Sequence, residues 1–141
     1  MDINSATEID SRIKTLKSIP IFKDLDEILL HDIADALIKK TLDKNSVLFY
    51  KGDKDCTLYI IVEGRVKAHD GDHTFAEFCQ NQYIGEYSLV DSTPRSTSVT
   101  ALENTSLLGL DQKTFYNLIT LRNEISIAML KGLVVRLRDY N

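Results

Sequence analysis

Between Tyr83 and Val99 the chain reads Tyr-Ile-Gly-Glu-Tyr-Ser-Leu-Val-Asp-Ser-Thr-Pro-Arg-Ser-Thr-Ser-Val, and the residue types and spacing of this stretch suit the binding of an anion. Arg95 supplies a planar fork matched to bidentate contact with phosphate, and Pro94 stiffens the loop that presents it. Gly85 allows close backbone approach at the end of a strand. Glu86 to Val90 can form one short helical turn, whose free N–H groups and positive dipole end suit a negative charge. Ser88 and Ser96 add hydroxyl donors on either side. Glu86 would repel a bare phosphate, so its presence makes sense for a ligand that also offers hydroxyls, such as those of a ribose. The bland alternative is a surface ion pair between Glu86 and Arg95 capping a barrel end, worth about 0–1 kcal/mol.

Three regions of different periodicity must position these groups. Residues 1–40 read as N-terminal helices: Ser5-Ala6-Thr7-Glu8 has the capping-box pattern, and Ile9, Ile13 and Leu16 follow at helical steps. Pro20 ends that segment, because the residue before a proline is pushed out of the α region. A second helix is expected from Asp24, with Leu29, Ile33, Ala36 and Leu37 on one face. Residues 41–110 change to short runs rich in β-branched and aromatic residues: Val47–Tyr50, Leu58–Val62, Arg65–Ala68, Thr74–Phe78, Ser98–Leu102 and Ser106–Leu110. Turn residues separate them, and Asp70-Gly71 suits a tight hairpin. This spacing predicts an antiparallel barrel or a double-sheet jelly roll. Residues 111–141 return to helix. Asp111 is an N-cap for a segment carrying Phe115, Leu118 and Ile119, and a longer helix from about Asn123 carries Ile127, Leu130, Leu133 or Val134, and Leu137. The expected architecture is mainly β with flanking α, in one domain over residues 1–141.

Other reactive residues form no recognisable machinery. His69 and His73 flank Asp70-Gly71-Asp72, which favours a solvated hairpin over a metal site. His31 falls within an amphipathic helix and reads as structural, and no catalytic triad or phosphate-binding loop of the Walker type is present. Cys56 and Cys79 sit in strand-like surroundings without Cys-x-x-Cys spacing and are expected to be reduced and structural. The reading is therefore of a binding module and not an enzyme, with no metal and no cofactor.

Composition narrows the partners. Seventeen Lys and Arg against 21 Asp and Glu give a net charge of −4, which argues against nonspecific binding to nucleic acid or anionic lipid. The N-terminus has no basic region followed by an apolar one, and the longest apolar run, Leu58 to Val62, is far below the ~20 residues that cross a bilayer. A cytoplasmic chain without membrane insertion is expected.

The segment Gly85-Glu86-x-Ser88-Leu89-x5-Arg95-Ser96, with Pro94 before the arginine, resembles the phosphate-binding cassette of the cyclic nucleotide-binding domain family. Ile19-Pro20-Ile21-Phe22, Phe49-Tyr50-Lys51-Gly52-Asp53 and Leu58-Tyr59-Ile60-Ile61-Val62-Glu63-Gly64-Arg65-Val66 are similar to other recurring stretches of that family, in the same order. The resemblance covers roughly residues 16–140. It implies a double-stranded β-helix, the jelly-roll barrel, with N-terminal helices and a C-terminal helix pair, and a cassette at residues 84–97. It also implies cAMP or cGMP as the ligand. Glu86 would then accept the ribose 2′-hydroxyl and Arg95 would pair with the cyclic phosphate. Backbone N–H groups of Gly85 and Ser88 would contribute, with Ser96 beside the phosphate. A residue of about 130–140, with Leu133 and Arg136 as candidates, would cover the base. The chain departs from the family pattern at Tyr87, usually aliphatic, and at Ser92 and Asn81, where glycine is frequent. Asn81 is tolerable there because asparagine visits the left-handed region.

The expectation is a stand-alone cyclic nucleotide sensor that signals through its C-terminal helix to an effector protein or a second copy. The alternative is a degenerate domain of the same fold serving as an interaction or dimerisation module. A helix-turn-helix after residue 141 is not expected.

Overall fold

Apolar residues at three- and four-residue steps give way after Ala36 to strand patterns, and the backbone changes with them. The computed structural model describes residues 3–140, with the side chains of residues 3–5, 136 and 140 outside the description. Contacts divide the chain into two compact units, a helical one made of the segments up to Ala36 and from Lys113 onward, and a β unit from Leu37 to Gln112.

The helical unit contains α1 (Ile3–Lys17), α2 (Glu27–Ala36), α4 (Gln112–Leu121, which begins on the last residue of the β unit) and α5 (Asn123–Tyr140). Ser5 lies inside α1, so the capping-box reading of its start is corrected: Ile3 and Asn4 are already helical. Pro20 acts as expected. Beyond it the chain makes successive tight turns, with Phe22 N–H donating to Ile19 O (2.9 Å) and Leu25 N–H to Phe22 O (3.1 Å), so α2 starts three residues later than Asp24. Its cap is Asp26, whose Oδ1 accepts the Leu29 N–H at 3.1 Å. Leu29, Leu30, Ile33 and Ala34 form the buried face of α2. His31 is exposed on the same helix. Arg122 reaches from the start of the last helical segment to Asp32 at 3.1 Å.

The β unit holds β1 (Ile38–Leu42), β2 (Val47–Phe49), β3 (Leu58–Glu63), β4 (Val66–Asp70), β5 (His73–Phe78), β6 (Tyr83–Ile84), a short helix α3 (Glu86–Asp91), β7 (Ser98–Ala101) and β8 (Thr105–Leu110). They form two four-stranded antiparallel sheets, ordered β1-β8-β3-β6 and β2-β7-β4-β5. This is the jelly-roll barrel with flanking helices. Two strands go beyond the sequence reading. Ile38–Lys40, read there as the tail of the helical segment, pairs with Leu107–Gly109 in β1, and Tyr83–Ile84 pairs with Tyr59 and Ile60 as β6. Both are short and polar or solitary in pattern, so only their pairing partners make them strands.

The inward faces of the two sheets meet in a core of Leu42, Leu48, Phe49, Tyr59, Ile61, Val66, Ala68, Ile84, Val99, Ala101 and Leu107. Gly64 closes the β3–β4 turn at φ +101, where an added Cβ would lie 2.5 Å from Thr105 Oγ1 and 2.7 Å from Asn104 O. Asp70-Gly71-Asp72-His73 forms the expected tight hairpin, with Asp70 opposite His73 and Gly71 at φ +56. Cys56 and Cys79 are both free, but they lie in loops flanking β3 and β5 and not within strands, the first half-buried and the second exposed.

Candidate functional site

Arg95 is the least expected side chain of the β unit: a cation 4% exposed in a loop. Its main chain is clamped first. Asp53 Oδ2 accepts the Tyr50 N–H (2.9 Å) and closes a turn at Tyr50–Asp53. From that turn the Gly52 N–H donates to Arg95 O (2.8 Å), and Asp53 O accepts the Arg95 N–H (2.9 Å).

The side chain is then held by groups from the loop ahead of β3. Arg95 Nη2 donates to Thr57 O at 2.6 Å and lies 3.1 Å from Asp55 Oδ2. Its Cζ sits 4.1 Å from the centroid of the Phe49 ring, a cation–π contact. Burial disfavours ionisation of Asp55, yet the hydrogen bond and charge of Arg95, aided by Thr57, outweigh it and hold the carboxyl below its usual range. Burial, reinforced by the Asp55 charge and its hydrogen bond from the Tyr59 hydroxyl (3.2 Å), pushes the Tyr59 hydroxyl up to about 12. Asp55, Thr57, Phe49 and Tyr59 were not singled out as site residues from the sequence. Phe49 and Tyr59 fall within stretches noted there for their resemblance to the family, but contact across 38 residues between Arg95 and Thr57 leaves no local pattern.

Two nitrogens of the buried guanidinium, Nε and Nη1, have no hydrogen-bond partner among the described residues. A buried donor left unpaired costs about 1–3 kcal/mol, so the protein alone does not complete this cation's contacts. Arg95 forms part of the wall of a cavity of about 560 Å³, lined also by Phe75, Tyr83, Glu86, Pro94 and Ser96. An anionic oxygen would supply the missing acceptors.

The remaining expected residues converge on the same cavity, with Gly85 and Ser88 also in its wall. Gly85 stands at φ +91 as the residue before α3, and a Cβ there would run into the Arg95 guanidinium and lie 2.6 Å from Thr57 O. Glycine is required both by conformation and by room for the arginine. Ser88 is 4% exposed, and its hydroxyl donates to Thr93 O at 2.7 Å. It therefore ties α3 to the return loop. Glu86 is half-buried with no partner among the described residues, so the bland reading of a Glu86–Arg95 ion pair is corrected: Arg95 pairs with Asp55 instead. Ser96 is exposed at the rim.

The family departures are also explained. Ser92 and Asn81 both take left-handed backbone, at φ +62 and +69, which is why glycine is frequent at such positions. Ser92 is compensated by a hydrogen bond between its Oγ and Gln112 Nε2 at 2.8 Å. Tyr87 is 76% exposed, so the barrel core is untouched by its bulk. Of the base-covering candidates, Leu133 is 43% exposed on α5, and the Arg136 side chain lies outside the described residues. Among the described residues no group of His, Cys, Asp or Glu could hold a metal, and His69 instead bonds Thr100 Oγ1 (2.7 Å) and Gly71 O (3.0 Å).

The two-sheet jelly-roll barrel thus places a buried arginine and a short helix at the wall of one cavity. The chain belongs to the cyclic nucleotide-binding domain family, whose profile matches residues 39–121. Its sequence is 31% identical over 119 residues to a cyclic nucleotide-gated potassium channel of Rhizobium etli, covering 84% of this chain and 33% of the channel. It is 30% identical over 111 residues to a cAMP-dependent protein kinase regulatory subunit of Dictyostelium discoideum, covering 73% of this chain and 34% of that one. An uncharacterized NTE family protein of Mycobacterium bovis is 27% identical over 125 residues, covering 88% of this chain and 21% of that one. The chain thus spans about a fifth to a third of these relatives. Among solved structures, the N-terminal domain of a transcriptional regulator from Streptomyces coelicolor superposes with a TM-score of 0.82 at 31% identity, covering 90% of this chain and 92% of that one. The regulatory domain of Toxoplasma gondii protein kinase A, solved with cAMP, shares the fold with a TM-score of 0.73 at 24% identity, covering 84% and 46%. No described helix is long and apolar enough to cross a membrane.

Proposed function

We propose that the β unit binds a 3′,5′-cyclic nucleotide, cAMP or cGMP, with its phosphate on Arg95 and the 84–97 segment. The observation that carries this reading is the Arg95 guanidinium, buried at a cavity wall with Nε and Nη1 unpartnered. The neutral hydroxyls of a ribose suit Glu86, a half-buried carboxylate with no partner among the described residues. The backbone N–H groups of Gly85 and Ser88, together with Ser96, supply further donors around the phosphate. The reading is one of binding and regulation, not catalysis, and needs no cofactor beyond the ligand. Occupancy is read out through α5 to an effector or a second copy, and the protein acts in the cytoplasm as a signal-transducing module.

Calorimetry and thermal unfolding with cAMP and cGMP test this. At 100 times its dissociation constant a ligand stabilises by about 2.7 kcal/mol, a visible rise in midpoint. Saturable binding that Arg95→Ala weakens by at least a power of ten is the expected result, and equal affinity in both proteins would falsify it.

One observation favours the interaction-module reading. Ile127, Leu130, Leu133, Val134, Val135 and Leu137 of α5 are between 43% and 61% exposed, a large apolar area for one helix. Absence of response to either nucleotide, with self-association lost on Leu130→Glu, would transfer the assignment to it.

A further inference from the structure

The polar groups that hold the Arg95 side chain act on one nitrogen. Nη2 donates to Thr57 O at 2.6 Å and lies 3.1 Å from Asp55 Oδ2, while Nε and Nη1 have no hydrogen-bond partner among the described residues. A planar group tethered at one corner can still tilt about that corner, so these bonds alone leave the plane of the guanidinium unfixed. What meets its face is aromatic. Cζ lies 4.1 Å from the centroid of the Phe49 ring and 5.9 Å from that of Tyr59, and both rings are buried. A cation over an aromatic face is attracted by the ring quadrupole, most strongly where water is excluded.

The placement of Phe49 depends on an irregularity of β2. Val47 stands opposite Thr100 and Phe49 opposite Val99, so β2 advances two residues while β7 advances one, a β-bulge at Leu48. Strict alternation sends neighbouring side chains to opposite faces, yet Leu48 and Phe49 are both buried. The chain then enters the Tyr50–Asp53 turn, whose Gly52 N–H and Asp53 O bind the Arg95 main chain. Residues 47–53 thus clamp the backbone of Arg95 and also supply the floor under its side chain. Phe49 lines the same cavity of about 560 Å³ as Arg95.

We propose that Phe49 is the positioning residue for Arg95: its ring fixes the plane of the guanidinium by cation–π contact and leaves Nε and Nη1 open to the anionic oxygens of a ligand. A second carboxylate in its place would also hold the cation, but it would neutralise the charge and take up those donors. The inference rests on the cyclic nucleotide reading above for the identity of the ligand, and it adds how the arginine is kept oriented and unsatisfied before the phosphate arrives.

Calorimetry and nuclear magnetic resonance on the full chain test it, with whichever of cAMP and cGMP the wild type binds more tightly as the probe. Two variants are compared. Phe49→Leu keeps apolar bulk without a π face, and pentafluorophenylalanine incorporated at position 49 keeps the shape of the ring while reversing its quadrupole. Both are expected to raise the dissociation constant about 5- to 30-fold, the range of a desolvated cation–π contact. In the ligand-free wild type, the ring current of Phe49 shifts the Arg95 guanidinium N–H resonances upfield, and in both variants they move back toward the ordinary arginine position. If Phe49→Leu does not fold, the fluorinated protein, whose core keeps its shape, carries the comparison. Wild-type affinity in the fluorinated protein, or guanidinium resonances that stay where they are in wild type, overturns the positioning role and leaves Phe49 as core filling. A wild type that binds neither nucleotide overturns the cyclic nucleotide reading, while the ligand-free resonances still decide whether Phe49 orients Arg95.

Discussion

Arg95 Nη2 lies 3.1 Å from Asp55 Oδ2, and that ion pair occupies one nitrogen of the guanidinium while two others stay unpaired. The pair fixes the orientation of the cation without saturating it. Asp55 is 28% exposed at its side chain, so the negative end keeps some hydration while the positive end is almost fully buried. The site is thus assembled and incomplete.

Replacing Arg95 tests the cation directly. Arg95→Ala removes one partner of a buried charged contact, a change that typically costs about 2–5 kcal/mol in binding, and calorimetry with cAMP is expected to show a loss of at least one power of ten. Arg95→Lys is expected to recover little of it, because a single ammonium cannot serve Asp55, Thr57 O and a ligand with the geometry of a planar fork.

Asp55 makes folding stability pH-dependent in a defined direction. Its folded pKa lies below the ordinary 3.8, with the opposing effect of burial outweighed by Arg95 and Thr57. The stabilisation is therefore fully present above the unfolded value and is lost as pH falls through the lower folded one. Urea unfolding from pH 6 down to pH 2 is expected to show wild type losing its advantage over Asp55→Asn in that acid window. A gap between the two proteins that stayed constant with pH would contradict this.

Gly85→Ala is expected to damage both stability and binding. Left-handed backbone costs a non-glycine residue about 1–2 kcal/mol, and the new methyl also meets the Arg95 guanidinium and Thr57 O. Gly71→Ala is the control, since that glycine is also at positive φ but nothing lies within 4 Å of its added Cβ. Chemical denaturation of the two variants should separate the conformational cost, common to both, from the collision that only Gly85 suffers.

Ser92 sets two effects of similar size against each other. Its left-handed φ of +62 costs about 1–2 kcal/mol. The Gln112 hydrogen bond to its Oγ returns about 0.5–1.5 kcal/mol. Ser92→Gly loses both and is expected to leave stability within about 1 kcal/mol of wild type, whereas Ser92→Ala keeps the cost, loses the bond and should be destabilised by about 1 kcal/mol. The order of melting temperatures among the three proteins checks the assignment.

Much of this protein follows from local chemistry. Pro20 ends the first helical stretch, Asp70-Gly71 closes the β4–β5 hairpin, and Gly85 followed by six helical residues makes α3, because each depends on backbone preferences within a few positions. Gly85, Glu86, Ser88, Arg95 and Ser96 could all be named from their spacing, since one short loop brings them to a single cavity wall. What the residues could not say alone is how Arg95 is held, that Ser88 spends its hydroxyl on Thr93, or that Ile38–Lys40 is a strand and not a helix end. Those outcomes depend on contacts between segments tens of residues apart, which no short window contains. Sequence by itself determined the kind of chemistry available and the short loop that carries it. Tertiary structure decided which of those groups are buried, which are already satisfied and which remain open to a ligand, because burial and hydrogen-bond satisfaction are properties of packed neighbours and not of order along the chain.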